Sequence, residues 1–155
     1  MPVLFARVDD RLIHGQIVQA WLPELNIDEV VVPCPREQEH NINPNLLRLS
    51  LPYEYELTIL PPQKCVSYIE QSKKRLMLLM NSLQDLQPLL EDGLTIKSVN
   101  IGGMHFKSGA QKLAENVFVD EQDKRTLKIL NDLGIEIETR AVPNSKSISV
   151  KEILQ

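Results

Sequence analysis

The sequence predicts a three-layer α/β sandwich, a mostly parallel sheet of about seven strands with helices on both faces. Two patterns carry this expectation. Short β-branched or aliphatic runs alternate with helical patterns about ten residues long. Several of those runs are apolar on both faces, as strands are when helices cover each side of a sheet. Alternation of β and α units then predicts parallel pairing. Each crossover needs a helix, and right-handed connections pack it onto a face.

In order, strands are expected at 3–8, 29–33, 56–60, 75–80, 98–101, 117–119 and 135–142, the last a candidate edge strand. The first helix follows the first strand and carries Ile17 and Trp21 four apart on one face, the spacing of core packing. Pro23 is expected to end it near Leu22. Asn43 before Pro44 reads as an N-cap with proline at the first helical position, leading into Leu46, Leu47 and Leu49. Ser82 with Asp85 resembles a capping box, and Gly93 closes that helix. Pro88 inside it predicts a distorted or restarted helix. Asp120 can cap a helix over 121–133, where Leu127, Leu130 and Leu133 share a face before Gly134.

The 155 residues suit one domain, 1–155, with no repeat or linker to divide them. A net charge of -4 and a pI near 5.4 leave no basic stripe for nucleic acid. No apolar run reaches bilayer length, and no signal peptide is evident. Cys34 and Cys65 do not make a disulfide framework, so the cytoplasm is the expected compartment.

Chemistry concentrates after the first strand, where open α/β sheets place their ligands. Between Arg7 and Gln16 lie two arginines, two aspartates, a histidine and a glycine. A neutral imidazole offers a lone pair at cellular pH, which makes His14 a candidate nucleophile. Phosphoryl transfer needs positioning and charge stabilisation more than covalent help. Arg7 and Arg11 match phosphoryl oxygens bidentately, and Gly15 lets backbone approach closely. Asp9 and Asp10 would hold the arginines or the imidazole. The paired aspartates also suggest a receiver domain. That reading fails because the third strand ends Leu60-Pro61-Pro62, without a phosphoacceptor aspartate. A second strand-then-glycine loop, Ser98 to Phe106, contains Gly102 and Gly103, candidates for phosphate contact.

The run Arg7-Val8-Asp9-Asp10-Arg11-Leu12-Ile13-His14-Gly15-Gln16 resembles the active-site segment of the IIB component of mannose/fructose/sorbose-family sugar phosphotransferase systems. Ser98 to Phe106, Val119-Asp120-Glu121 and Asn131 to Glu136 match that family in order and spacing, so the resemblance covers nearly the whole chain. It implies a phosphohistidine at His14, with Arg7 and Arg11 on the phosphoryl group and Asp9 and Asp10 in support. It also implies a IIA phosphohistidine as donor, and sugar held by membrane IIC and IID components as final acceptor. Because the chain starts at the first strand, the IIA donor is expected to be a separate protein. The 34–41 segment has no close match to the family. Neither metal nor organic cofactor is expected. A homodimer is left open.

The other candidates are weaker. Cys34 lacks the phosphate-cradling loop of a reactive IIB cysteine, and position 40 is histidine where Cys-x5-Arg needs arginine. His40 lies in a polar stretch and is expected to be solvated. His105 is either a donor near the site or a plain loop histidine. The two histidines, His14 and Cys34 form no zinc spacing. Two rival functions stand beside sugar transport: a regulatory phosphocarrier that moves no sugar, and a non-enzymatic α/β domain binding an anion.

Overall fold

The aliphatic runs form strands in the computed structural model of the protein, which describes residues 3–150. The ends of the expected 1–155 domain, residues 1–2 and 151–155, lie outside the described residues. The strands are β1 (Val3–Asp9), β2 (Glu29–Pro33), β3 (Glu56–Leu60), β4 (Arg75–Met80), β5 (Ser98–Gly103), β6 (Gln111–Ala114), β7 (Val117–Val119), β8 (Glu136–Thr139) and β9 (Ile148–Ser149). The helices are α1 (Leu22–Glu24), entered through a π-helical turn at Ile17–Trp21, α2 (Pro44–Ser50), α3 (Pro62–Gln71), α4 (Leu86–Glu91) and α5 (Glu121–Asp132).

Seven strands build one sheet in the order β3-β2-β4-β1-β5-β8-β9, parallel except for β9. Side-chain alternation divides each central strand between two cores. In β4, Leu76, Leu78 and Met80 pack with Cys65 and Val66 of α3, Leu86 of α4 and Leu127 of α5. Met77 and Leu79 point the other way, onto Ile17, Trp21, Leu22 and Leu47. Both faces are therefore dry, which is why these strands read as continuous apolar runs.

The expected caps form. Asn43 Oδ1 accepts from the N–H groups of Asn45 at 3.0 Å and Leu46 at 3.2 Å. Ser82 and Asp85 make a capping box, as do Asp120 and Asp123. The helix expected around Pro88 starts as a 3-10 turn, Leu83–Asp85, and restarts as α4, with Pro88 in the first turn of α4.

Three expectations are corrected. Val117–Val119 is a strand, but it pairs antiparallel with β6 in a separate hairpin. Its two valines enter the core, and Asn116 turns the hairpin with φ +62°. The strand expected at 135–142 is shorter and is not an edge: β9 folds back on β8, covering backbone groups that would otherwise lie open. Pro23 does not stop the first helix at Leu22. The π-helical turn, with Leu22 N–H donating to the Ile17 carbonyl, widens the helix where a proline ring would clash, and α1 runs on to Glu24. Among the described residues, no helix is long and apolar enough to cross a membrane.

The carboxyl ends of the parallel strands share one edge of the sheet. There the β1–β5 pairing slips: Val8 faces Ile101 but Asp9 faces Gly103, leaving Gly102 as a bulge. That bulge and the loop after β1 make the site.

Candidate functional site

Asp9, at the end of β1, is fully buried and collects the surrounding donors. Its Oδ1 accepts from the Arg11 backbone N–H at 3.1 Å and Arg11 Nε at 3.0 Å. Its Oδ2 accepts from Arg7 Nη2 and Arg11 Nη2, each at 3.0 Å, and lies 2.9 Å from His14 Nε2. Burial alone would push the Asp9 carboxyl up. Hydrogen bonds from His14 and Arg11, with the Arg7 charge, outweigh it and hold the group well below the usual carboxylate range. An ionised carboxylate only accepts, so His14 Nε2 carries the hydrogen and Nδ1 is left with the lone pair of the neutral ring.

The loop is shaped to present His14. Leu12 adopts φ +54°, and its N–H closes a turn on the Asp9 carbonyl at 2.9 Å. That conformation costs a non-glycine residue on the order of 1–2 kcal/mol, so the surroundings must enforce it. Leu12 and Ile13 do so by burying their side chains in the α1-side core. Arg11 and His14, on either side of them, turn toward solvent with side chains 31% and 18% exposed. Arg11 Nη2 also reaches Gln16 Oε1 at 3.2 Å, while Nη1 makes no hydrogen bond within the described residues.

Arg7 lies beneath Asp9 and is completely buried. Nη1 donates to Asn100 Oδ1 at 2.5 Å and to the Arg140 carbonyl at 3.0 Å, and Nη2 donates to the Ala141 carbonyl at 3.1 Å. Trp21 covers the guanidinium with its ring centroid 5.1 Å from Cζ, and its own Nε1–H donates to the Ala141 carbonyl at 2.8 Å. Phe5 stacks on that ring, centroids 4.9 Å apart. The backbone after β8 is thus tied to β1 through Arg7 and Trp21.

The arrangement is one histidine held by one nitrogen, beside a guanidinium with a free edge, over a buried ionic base. It suits transient loading of a small anion onto the outward ring nitrogen. The family model for the "PTS system sorbose subfamily IIB component" matches residues 3–155. The chain belongs to that family. It is 32% identical to the mannose-specific EIIAB component of Escherichia coli (strain K12), over 99% of this chain and 49% of that protein. It thus spans about half the length of that relative. It is 29% identical to the fructose-specific EIIB component of Bacillus subtilis (strain 168), over 100% of this chain and 97% of that protein. The crystal structure of the IIBSor domain of the sorbose permease from Klebsiella pneumoniae superposes with a TM-score of 0.89 at 25% identity, covering 99% and 96% of the two chains.

In this IIB chain, Arg7, Asp9, Arg11 and His14 come together as the sequence suggests, but with different duties. Arg7 was expected on the phosphoryl group. It is sealed under Asp9 and has no exposed face, so it acts as an anchor. Gly102 and Gly103 were expected to contact phosphate, and both are buried. A Cβ on Gly102 would lie 1.8 Å from Arg7 Nη2, and one on Gly103 would lie 2.9 Å from Asp9 Oδ1. They make room for the ionic cluster. Gly15 has an ordinary φ, is exposed and has open space where a Cβ would stand. Asp10 turns away from His14 to His105, whose N–H donates to its Oδ2 at 2.7 Å.

Asn100, Trp21 as a cover for Arg7, and the carbonyls of Arg140 and Ala141 are what sequence reading misses. One signal was present: an arginine inside a strand apolar on both faces must be buried, and a buried arginine needs several acceptors. Cys34 is half-buried, and burial, with Glu39 and Asp85 nearby, pushes its thiol up. Burial pushes Cys65 up to about 12. Neither cysteine favours a thiolate nucleophile.

Proposed function

We propose that His14 carries the phosphoryl group on Nδ1. It receives the group from a IIA phosphohistidine and passes it to a sugar presented by membrane IIC and IID components, at the cytoplasmic face of the membrane. The observation that supports this best is the 2.9 Å contact between His14 Nε2 and the buried Asp9 carboxylate. It commits one ring nitrogen to the protein and leaves the other for chemistry.

In this reading the incoming phosphoryl lies against Arg11 Nη1, whose other nitrogens are already fixed by Asp9 and Gln16. Nε2–H donates to Asp9 throughout, so the loaded ring keeps a positive character and remains a good leaving group. Exchange between two histidine nitrogens changes bond energy little, and loading is reversible. Gly15 leaves space beside His14 for the partner's own histidine.

The test is incubation of the protein with phosphoenolpyruvate, the general phosphotransferase proteins and a cognate IIA, followed by intact-mass spectrometry. An acid-labile gain of one phosphate, absent from His14→Ala, is expected. A stable gain, or one that survives in His14→Ala, would refute the assignment. NMR of the loaded ring distinguishes Nδ1 from Nε2.

A further inference from the structure

We infer that Asn100 is a positioning residue for phosphoryl transfer, a neutral spacer that keeps the Glu138 carboxylate off Arg7 and so leaves the Arg7 charge to Asp9 and His14. The inference rests on the phosphocarrier reading above and concerns what makes His14 ready to load.

The three residues form a row across the sheet. Arg7 on β1 is in register with Asn100 on β5, and Asn100 with Glu138 on β8. Neighbouring strands lie about 5 Å apart, so side chains in register on one face meet directly. Asn100 is 2% exposed and stands between a cation and an anion. Its Oδ1 accepts from Arg7 Nη1 at 2.5 Å, and its Nδ2 donates to Glu138 Oε1 at 3.1 Å. Nδ2 also reaches the Arg140 carbonyl at 3.4 Å. The reversed amide would set N–H groups against the guanidinium and an oxygen against two acceptors, so the surroundings fix its direction.

Each charge in the row has a partner of its own. Glu138 Oε1 accepts from Arg140 Nη2 at 3.0 Å, and Oε2 accepts from the Ser147 hydroxyl. Arg7 pairs with Asp9, also at 3.0 Å. Burial pulls the Arg7 guanidinium down, and the Asp9 carboxylate opposes this most, with Glu138 a smaller counterweight. The amide is what separates the two ion pairs. An aspartate at position 100 would have nearly the same shape but would pair with Arg7 directly.

Negative charge at that position would act on His14 in two ways. It favours a proton on Nδ1, which removes the lone pair that attacks phosphorus. It also cancels the positive excess that receives a dianion. Both effects come from the charge and not from the number of contacts, which makes the inference testable.

Two proteins would be compared with wild type. Asn100→Ala removes the amide and adds no charge. The double variant Asn100→Asp with Glu138→Gln keeps an acceptor toward Arg7 and a donor between positions 100 and 138. At constant net charge, it moves one negative charge a strand closer to Arg7. Melting would be followed by circular dichroism, loading from phosphorylated IIA by rapid quench in a single turnover, and the His14 ring by nitrogen-15 NMR at neutral pH. The alanine variant should melt lower yet load nearer the wild-type rate. The double variant should melt nearer wild type yet load about ten- to a hundredfold more slowly, the scale seen when the support behind a functional histidine is altered. Its His14 Nδ1 resonance should move toward the protonated range. Loading that follows melting temperature across both variants, or a double variant that loads like wild type with an unchanged Nδ1 resonance, would overturn the inference and leave the phosphocarrier reading intact. Failure of the wild type to load, or loading of His14→Ala, would overturn both.

Discussion

Replacing Gly102 by alanine sets a methyl group 1.8 Å from Nη2 and 2.1 Å from Cζ of Arg7. Neither side can give way by a small shift. Arg7 is pinned by Asn100, Asp9 and the carbonyls of Arg140 and Ala141, and Trp21 covers its face. Gly102 is bulged between Ile101 and Gly103, and those neighbours are registered against Val8 and Asp9. The guanidinium must therefore leave, and Asp9 loses a buried partner. Breaking a buried ion pair from one side costs about 3–5 kcal/mol. Against a total stability of about 5–15 kcal/mol this is a large share. In a chain of this size each kcal/mol lowers Tm by about 2–4 °C, so the expected loss is roughly 6–20 °C. Circular dichroism melting would measure it, with Gly15→Ala as the control. A Cβ at Gly15 meets nothing within 4 Å. Its Tm should hold or rise slightly, as glycine-to-alanine changes do where the backbone permits. A Gly102→Ala protein melting within about 2 °C of wild type would refute the account of the bulge.

Three further outcomes are expected. Asp9 has a folded-state pKa below its unfolded value of about 3.9, so its stabilisation is present at and above about pH 5 and is lost as pH falls through that range toward the depressed folded value. Urea midpoints taken between about pH 6 and pH 3 should therefore fall more steeply for wild type than for Asp9→Asn, and parallel slopes would count against the cluster. Trp21→Phe keeps the stack on Phe5 but removes the donor to the Ala141 carbonyl, and a loss of about 1–3 kcal/mol in denaturant unfolding is expected. Cys34→Ser should load with phosphate at the wild-type rate, because burial and two carboxylates disfavour the thiolate; abolished loading would move the acceptor to sulfur.

What the sequence shows of this molecule follows from how locally each feature is encoded. Runs such as Glu29–Pro33 and Arg75–Met80 announce buried parallel strands because their own residues satisfy both faces. β6 carries only Gln111, Lys112, Leu113 and Ala114, half exposed and without a β-branched residue, and its pairing depends on the turn at Asn116. β9 is two exposed residues that become a strand only because β8 has a free side. The site divides in the same way. Asp9, Arg11 and His14 lie within one loop and are legible together. Apart from Asp9, the acceptors that fix Arg7 are 93 to 134 positions away, and two of them are carbonyls, which no residue type advertises.

The buried charges also explain why the site is ready for an anion before one arrives. Asp9 contributes one negative charge and Arg7 and Arg11 one positive charge each, leaving one positive charge in excess around a dry carboxylate. Such a cluster is not a source of stability in itself, since desolvation offsets most of the attraction. Its value is preorganisation. Arg11 is clamped by Asp9 and Gln16 with one edge open, so in the proposed transfer it need not reorganise to meet a dianionic phosphoryl group at His14. With His14 and Arg11, Arg7, which never faces solvent, helps keep Asp9 ionised, and in the proposed transfer Asp9 holds the imidazole by the nitrogen that carries no phosphate. Removing Arg7 should therefore slow loading of His14 without removing any group that touches phosphate. A single-turnover measurement on Arg7→Met, compared with the milder loss in Arg7→Lys, would expose that dependence. Equal loading by wild type and Arg7→Met would show that His14 is oriented by its loop alone.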